Sequence, residues 1–147
     1  MVSHILLGLG SNLGDRAANI DRACRMLEQR VAVIRRSALR ETEPYGFRQQ
    51  PDFLNGALYG TTSLTPSELL RWVKETEKIC GRRETFKWGP RVIDIDIIFY
   101  DNIIYDSPDL VIPHRDLLRR PFVIEPALEI IPDTERLNWR SYIAGTA

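Results

Sequence analysis

The sequence lacks the features that mark several large classes of protein. Its two cysteines, Cys24 and Cys80, have no CxxC spacing, so neither a disulfide framework nor a zinc ribbon is indicated and a reducing cytoplasm is expected. The first apolar run, residues 4–7, stops at Gly8, and no other stretch approaches the length of a membrane span. The chain is therefore expected to be neither exported nor inserted in a membrane.

An excess of charge of one sign is also absent. Twenty Lys and Arg residues balance 20 Asp and Glu residues, whereas proteins that follow nucleic-acid backbones carry a positive surplus. We expect no nucleic-acid partner. The 147 residues, 44% of them hydrophobic, suffice for one domain over 1–147, and no second enzyme domain is expected at either end. A monomer is expected, with a dimer as the alternative.

Apolar periodicity predicts the first elements of the fold. A buried strand over 4–9 leads into the turn-rich segment 10–15. Apolar side chains at helical spacing follow it: Ile20, Ala23, Cys24 and Leu27. A strand is predicted over 31–41, and a proline-punctuated loop separates it from a period-two strand over 53–61.

The second half begins with the clearest helix signal. Residues 65–68 form a capping box with proline at the first helical position, and the helix is predicted to stop at Gly81. A charged loop then precedes the strongest strand, 91–100, which turns at 101–102 into a short strand over 103–105. Strands in consecutive pairs with helices between them predict an α+β sandwich of ferredoxin-like type, in which helices cover one face of a mainly antiparallel sheet.

Two aspartates, Asp94 and Asp96, share one face of the strand predicted over 91–100. The period of two predicts that the opposite face consists of Ile93, Ile95, Ile97 and Phe99. Neighbouring carboxylates repel each other, so a cation is expected beside them. Oxygen ligands without His or Cys nearby favour Mg²⁺ over Zn²⁺. The alternative is a solvated outer face with no ligand.

A cluster of cations and one aromatic residue precedes the acidic pair. Its members lie within ten residues of one another: Arg82, Arg83, Lys87, Trp88 and Arg91. They suggest a phosphate clamp. An ordinary exposed loop is the alternative for Arg82, Arg83 and Lys87, and Arg91 is the stronger candidate because it directly precedes the strand.

Other functions fit the residues less well. The glycines of segment 8–14 have GxGxxxG spacing, so we reject a dinucleotide-binding loop. Gly10-Ser11 lies more than 80 residues before Asp94, whereas a nucleotidyltransferase needs the two close together. His114 is a candidate phosphate contact, although a lone histidine is more often structural. A metabolite sensor or RNA-binding module of the same fold class is the rival hypothesis, but an RNA module would show aromatic strands and a basic face.

Segment 87–98 resembles the signature of the 6-hydroxymethyl-7,8-dihydropterin pyrophosphokinases, enzymes of folate synthesis. Segments 8–15, 50–55 and 112–122 match the same family in order, so the resemblance covers nearly the whole chain. It implies an in-line attack by the pterin hydroxymethyl oxygen on the β-phosphorus of ATP. The products would be AMP and the pterin diphosphate.

The resemblance also implies roles for individual residues. Asp94 and Asp96 would hold two Mg²⁺ ions, and Arg82 and Arg91 would be catalytic. Asp96 is a further catalytic candidate, as a base, by its proximity alone. The implied ATP contacts are Lys74, Glu77, Arg82, Trp88, Arg91, Ile97, His114 and Arg120. The implied pterin contacts are Glu43, Pro44, Tyr45, Gly46, Phe53, Asn55, Trp88 and Phe122, with Phe53 and Phe122 stacking on the ring and Asn55 binding its polar edge.

The chain departs from the family pattern at three positions near the nucleotide. Arg115 stands where many members have tyrosine or proline, and Asp109 and Val111 stand where some have an arginine and a hydroxyl residue. Adenine and ribose contacts therefore stay open. The loop over 81–88 is slightly shorter than in some relatives.

Overall fold

The computed structural model describes residues 1–114, 117–134 and 136–146. The strands along them are β1 (Ser3–Ser11), β2 (Ala32–Arg36), β3 (Arg40–Thr42), β4 (Phe53–Thr62), β5 (Asp94–Tyr100), β6 (Tyr105–Asp106) and β7 (Val111–Ile112). The helices are α1 (Arg16–Leu27), α2 (Pro66–Ile79), α3 (Pro121–Ile130) and α4 (Trp139–Thr146), with a 3₁₀ turn over Leu117–Arg119. No helix in these residues is long and apolar enough to cross a membrane.

The central strand of the main sheet is β1. It pairs antiparallel with β4 on one side and with β5 on the other, while β2 and β3 pair in succession along the outer edge of β4. The order β2-β4-β1-β5, with α1 and α2 inserted between strands, is that of a ferredoxin-like sandwich. The predicted fold class is confirmed.

Helices cover both faces of this sheet, so the prediction that one face is covered is wrong. On the first face, α1 and α2 pack against Ile5, Leu7 and Leu9 of β1. On the second face, α3 and α4 pack against Leu6, with Tyr59 and Phe99 in the same cluster. Prolines concealed α3 from periodicity, since Pro121 opens this helix and Pro126 lies inside it.

The strand predicted over 31–41 is interrupted at residues 37–39. Ser37 accounts for the break, because its Oγ accepts a hydrogen bond of 2.8 Å from the Ala57 N–H that a continuous ladder would use. A hydrogen bond between a serine side chain and the backbone of another strand does not change the apolar periodicity of the sequence. The break could therefore not be predicted from that periodicity.

The strand predicted over 103–105 is also wrong, since β6 starts at Tyr105 and pairs with β7 rather than with β5. The turn residue Asp101 is bonded to β1 instead. Its N–H donates to His4 O at 2.7 Å, and its carboxylate accepts from His4 N–H at 2.7 Å.

The acidic strand starts three residues later than predicted and contains a bulge. Ile97 and Phe99 pair with consecutive residues of β1, so Ile98 is an extra residue and the side chains beyond it change faces. Phe99 therefore lies on the second face, stacked on Trp139 with ring centroids 5.0 Å apart. The prediction that it shares a face with Ile95 and Ile97 is wrong.

The predicted capping box is present at the start of α2. Thr65 Oγ1 accepts from Glu68 N–H at 3.3 Å, and the Glu68 carboxylate accepts from Thr65 N–H at 2.9 Å. The hydrogen bond that the Glu68 carboxylate accepts from the Thr65 N–H lowers the pKa of Glu68. Lys74 and Glu77 lie on α2, so the cap that defines the start of this helix also helps to position both side chains.

We expect Thr65→Ala to lower the free energy of unfolding by about 1 kcal/mol, because one backbone donor of α2 loses its acceptor. Thr65→Ser keeps the oxygen and is the matched control. Urea unfolding of the three proteins measures the difference. Equal stability of Thr65→Ala and the unchanged chain would contradict the role of this cap.

Candidate active site

A cavity of about 280 Å³ opens where the end of β1 meets the starts of β4 and β5. Antiparallel pairing brings these three strand ends together, since Gly10 pairs with Asn55 on one side and with Asp94 on the other. We call this space the aromatic cavity. Its lining is Gly8, Leu9, Gly10, Thr42, Glu43, Tyr45, Phe53, Asn55, Gly56, Arg82, Lys87, Trp88, Gly89, Arg91, Asp94, Asp96, Ile98, Phe122 and Val123.

Most of the residues predicted to contact a pterin meet in this cavity. Phe53 and Phe122 come from β4 and α3, and Asn55 of β4 also lines the cavity, with its amide Nδ2 donating to Thr42 Oγ1. Glu43, Tyr45 and Trp88 line it from two loops. Pro44 is buried but is not among the described lining residues, and Gly46 packs against Trp88 instead.

Gly10 is a site residue that sequence reasoning missed. A Cβ at Gly10 would lie 2.7 Å from Asn55 Oδ1, closer than nonbonded atoms approach. Any larger residue would therefore displace the Asn55 amide from the cavity wall. The sequence predicted Gly10 in the turn-rich segment 10–15, whereas the structure places it in β1, where a glycine often marks a close approach of another group.

A second space, which we call the polar cavity, lies on the other side of Asp96 and measures about 440 Å³. Its lining is Leu70, Lys74, Ile95, Asp96, Ile97, Asp106, Pro108, Asp109, Leu110, Val111 and His114. Lys74, Ile97 and His114 were predicted to contact ATP, and all three meet here. Asp109 and Val111, the departures from the family pattern, lie in the same wall, whereas Arg115 is outside the described residues.

Glu77 and Asp94 hold the guanidinium of Arg82 between them. Arg82 Nη1 donates to Glu77 Oε2 and, at 2.9 Å, to Asp94 Oδ1. Glu77 is 2% exposed, and its carboxylate also accepts from Ile95 N–H at 2.9 Å. Burial raises the pKa of Glu77, and the hydrogen bond from Ile95 and the charge of Arg82 oppose that rise. Although burial alone would lower the pKa of Arg82, the Asp94 and Glu77 carboxylates outweigh it and raise the value.

Asp96 is the residue that both cavities share. Burial raises its pKa well above the ordinary value of 3.8, and the carboxylates of Asp94 and Glu77 raise it further. Lys74 and Arg82 act in the opposite direction. Within the described residues, the Asp96 side chain has no hydrogen bond or ion pair. An added cation would therefore stabilise its charged form.

The acidic pair stands without a third metal-binding side chain. Across residues 1–114, 117–134 and 136–146, no group of three or more His, Cys, Asp or Glu side chains is arranged to hold a metal ion. Two carboxylates alone suit Mg²⁺, which keeps several waters and takes oxygens from substrate phosphates.

The remaining predicted cations take three different positions. The Arg91 guanidinium bonds within its own loop, with Nη1 donating to Gly89 O at 2.8 Å, while its backbone N–H donates to Asn12 Oδ1 at 2.8 Å. Arg120 lies 4.0 Å above the Tyr45 ring and donates to its hydroxyl at 2.6 Å, beside the aromatic cavity rather than the polar one. Arg83 is exposed and is not among the described lining of either cavity.

Comparison with known proteins identifies the family. A model of 7,8-dihydro-6-hydroxymethylpterin-pyrophosphokinase (HPPK) matches residues 6–132. The chain belongs to this family. The resemblance carried by segment 87–98 is thereby confirmed.

Two bacterial relatives of similar length carry the same name, 2-amino-4-hydroxy-6-hydroxymethyldihydropteridine pyrophosphokinase. The protein of Aquifex aeolicus is 45% identical over 129 residues, which cover 88% of this chain and 81% of the relative. The protein of Bacillus subtilis is 37% identical over 132 residues, covering 88% and 79%. A folate synthesis bifunctional protein of Arabidopsis thaliana is 42% identical, but this chain spans 27% of it.

Solved structures support the fold assignment. A crystal structure of HPPK-DHPS in complex with substrates aligns with a TM-score of 0.67 at 15% identity, covering 99% of this chain and 44% of that one. The HPPK-DHPS of Plasmodium falciparum with pteroate aligns with a TM-score of 0.69 at 16% identity, covering 98% and 43%. This chain therefore corresponds to less than half of each bifunctional chain.

We expect Asp96→Asn to raise the free energy of unfolding of the metal-free protein by about 1 kcal/mol at neutral pH, because it removes a charge that burial and two carboxylates disfavour. The folded pKa of Asp96 is raised, so the unchanged chain loses stability as the pH rises through 3.8 towards that higher value. The Asp96→Asn variant does not lose stability in this way. Its advantage in the free energy of unfolding should therefore vanish below about pH 3, where Asp96 is protonated in both the folded and the unfolded chain. Urea unfolding in chelator checks both limits, and a variant less stable than the unchanged chain at neutral pH would contradict the expected repulsion.

Proposed function

We propose that this chain transfers pyrophosphate from ATP to the hydroxymethyl group of 6-hydroxymethyl-7,8-dihydropterin, giving AMP and the pterin diphosphate in folate synthesis. The observation that carries the proposal is the position of Asp96 between the aromatic and polar cavities. Two substrates bound one in each cavity would meet at this carboxylate. Relatives at 45% and 37% identity are named for the same activity.

The aromatic cavity suits a flat heterocycle. Phe53 and Phe122 supply rings for stacking, and Asn55 supplies both an amide donor and an acceptor for the polar edge. The carboxylate of Glu43 adds an acceptor for ring N–H groups. We assign the pterin to this space, with Tyr45 and Trp88 above it and with Pro44 and Gly46 in the loop that carries Tyr45.

The polar cavity suits a nucleotide. Leu70, Ile97 and Leu110 provide an apolar wall for a base, while Lys74 and His114 provide positive or hydrogen-bonding groups for phosphate. Lys74 Nζ lies 3.7 Å from Glu77 Oε1, which holds the ammonium near the acidic pair. We assign ATP here, with Arg120 and Trp88 reaching its phosphates from the other cavity.

Asp94 and Asp96 would hold Mg²⁺, and we propose two ions. The bound metal would supply charge neutralisation for the phosphates and align the attacking and leaving oxygens. Both carboxylates line the aromatic cavity, and Asp94 is 40% exposed at its side chain. The Asp94 oxygen that does not accept from Arg82 is thus accessible to a ligand.

The protein's own residues contribute charge and position. Arg82, fixed by Glu77 and Asp94, presents a guanidinium that stabilises negative charge on the transferred phosphates. Arg91 would do the same once its bonds within the loop exchange for phosphate. Asp96 is our candidate acceptor for the hydroxyl proton, because it alone among the described carboxylates lines both cavities.

We further propose that the chain acts as a monomer in the cytoplasm. The described lining of both cavities comes from one chain, so no second copy is required for the site. Both cysteines are free and buried, which suits a reducing compartment.

We expect the purified chain to form AMP when given ATP, Mg²⁺ and the reduced pterin alcohol. Asp94→Asn and Asp96→Asn should each lower turnover by at least about a hundredfold with the fold intact, because each removes a charged ligand for the metal. Asp133→Asn changes an exposed aspartate away from both cavities and is the matched control. AMP release followed by chromatography measures all four proteins, and unchanged turnover in the Asp94 or Asp96 variant would refute the metal role.

We expect Phe53→Ala to weaken binding of the pterin alcohol by about tenfold while ATP binding is nearly retained, because stacking in the aromatic cavity is lost. Leu70→Ala in the polar cavity should show the reverse pattern. Calorimetric titration of each variant with each substrate separates the two effects. Equal losses of both ligands in either variant would contradict the assignment of one substrate to each cavity.

A further inference from the structure

Two loops meet over the aromatic cavity and are joined by two edge-to-face aromatic contacts. The ring centroids of Tyr45 and Trp88 lie 4.8 Å apart at 79°, and those of Phe47 and Phe86 lie 5.0 Å apart at 89°. Each contact joins the loop over 43–52 to the loop over 82–91. We call these four residues the aromatic clasp.

The two contacts of the clasp differ in their relation to the cavity. Tyr45 and Trp88 line it, whereas Phe47 and Phe86 are not among its described lining residues. Phe47 is 37% exposed and Phe86 is 55% exposed. A ligand within the lining would therefore meet the inner pair, and the outer pair can affect it only through the position of the loops.

Backbone contacts reinforce the same crossing. Gln50 Nε2 donates to Phe47 O and to Trp88 O, both at 2.6 Å, so one side chain bonds both loops. The loops also touch at Gly46, where an added Cβ would lie 2.7 Å from Trp88 Cγ. Trp88 itself has a φ of 64°, a conformation that a bulky residue adopts only when its surroundings hold it.

The loop over 82–91 presents Phe86 on a folded base. Arg91 bonds its guanidinium to Thr85 Oγ1 and to three carbonyl oxygens of the loop, including Phe86 O at 3.4 Å. These bonds hold the turn that carries the Phe86 ring. Little conformational entropy of the loop is therefore lost when Phe86 contacts Phe47.

We infer that Phe47 and Phe86 are positioning residues that hold Tyr45 and Trp88 over the aromatic cavity and slow the escape of its ligand. An edge-to-face pair shifts an equilibrium by about two- to tenfold. The identity of the ligand, the pterin alcohol, rests on the proposed function. The contact between the loops does not.

The first test uses the chain without ligand. Trypsin can cut the loop over 82–91 after Arg83 or Lys87, and cleavage of a native loop follows the population of its open state. Phe47→Ala should raise the rate of these cuts about two- to tenfold, although the substitution lies in the other loop. Ile104→Ala, at a side chain 81% exposed and outside both loops, is the control. Cleavage of Phe47→Ala at the unchanged rate would overturn the inference.

The second test measures the dissociation rate of the pterin alcohol by stopped-flow fluorescence. Phe47→Ala and Phe86→Ala should each raise it about two- to tenfold, and the double variant should be no faster than the faster single one because both remove the same contact. Phe86→Tyr keeps the ring and should restore the slow rate. Additive effects, or unchanged rates, would overturn the positioning role.

Absence of AMP formation by the unchanged chain would instead count against the proposed function, while the trypsin test still decides the role of the clasp.

Discussion

The site depends on one charge interaction, in which Arg82 lies between the buried carboxylate of Glu77 and the partly exposed carboxylate of Asp94. Glu77 sits on α2 and also accepts from the Ile95 N–H of β5, so the same carboxylate joins helix, strand and loop. A carboxylate that is 2% exposed would be strongly disfavoured without these partners. Asp96 has no hydrogen bond or ion pair within the described residues, and the charges of Lys74 and Arg82 only partly offset those of Asp94 and Glu77. The proposed Mg²⁺ would supply further positive charge there. The charge of Asp96 lowers the free energy of unfolding of the ligand-free chain, a cost that is common at functional sites.

The antiparallel sheet then sets the position of the two cavities. Gly10 pairs with Asn55 and Asp94, which brings the polar edge of the aromatic cavity and the first metal-binding candidate onto neighbouring strands. Because side chains alternate along β5, Asp94 and Asp96 share a face, and Asp96 reaches the boundary between the two cavities. The loops over 43–52 and 82–91 complete the aromatic cavity from above. The start of β5 thus carries the two carboxylates, while the loops carry Arg82, Arg91 and the aromatic residues above the cavity.

The agreement between sequence and structure is uneven for physical reasons. The capping box at Thr65, the helix over Ile20 to Leu27 and the face of Asp94 and Asp96 were predictable, because each arises from neighbours within a few residues. The break at Ser37 and the bulge at Ile98 were not, because both depend on a hydrogen bond or register with another strand. Helix α3 over the second face escaped prediction because prolines interrupt its signal. Arg91 and Arg120 show the same limit, since the groups that hold them, Gly89 and Tyr45, could not be inferred from spacing.

The sequence by itself determined the fold class, the family and the acidic pair, because these are encoded in periodicity and in contiguous motifs. The tertiary structure alone decided that Asp96 is shared by two cavities, that Glu77 is buried beneath Arg82, and that Phe47 meets Phe86 across two loops. Each of these facts depends on contacts between separate elements or loops. The energies of these interactions come from burial and from distances between side chains. Both are fixed only when the sheet, helices and loops have packed together.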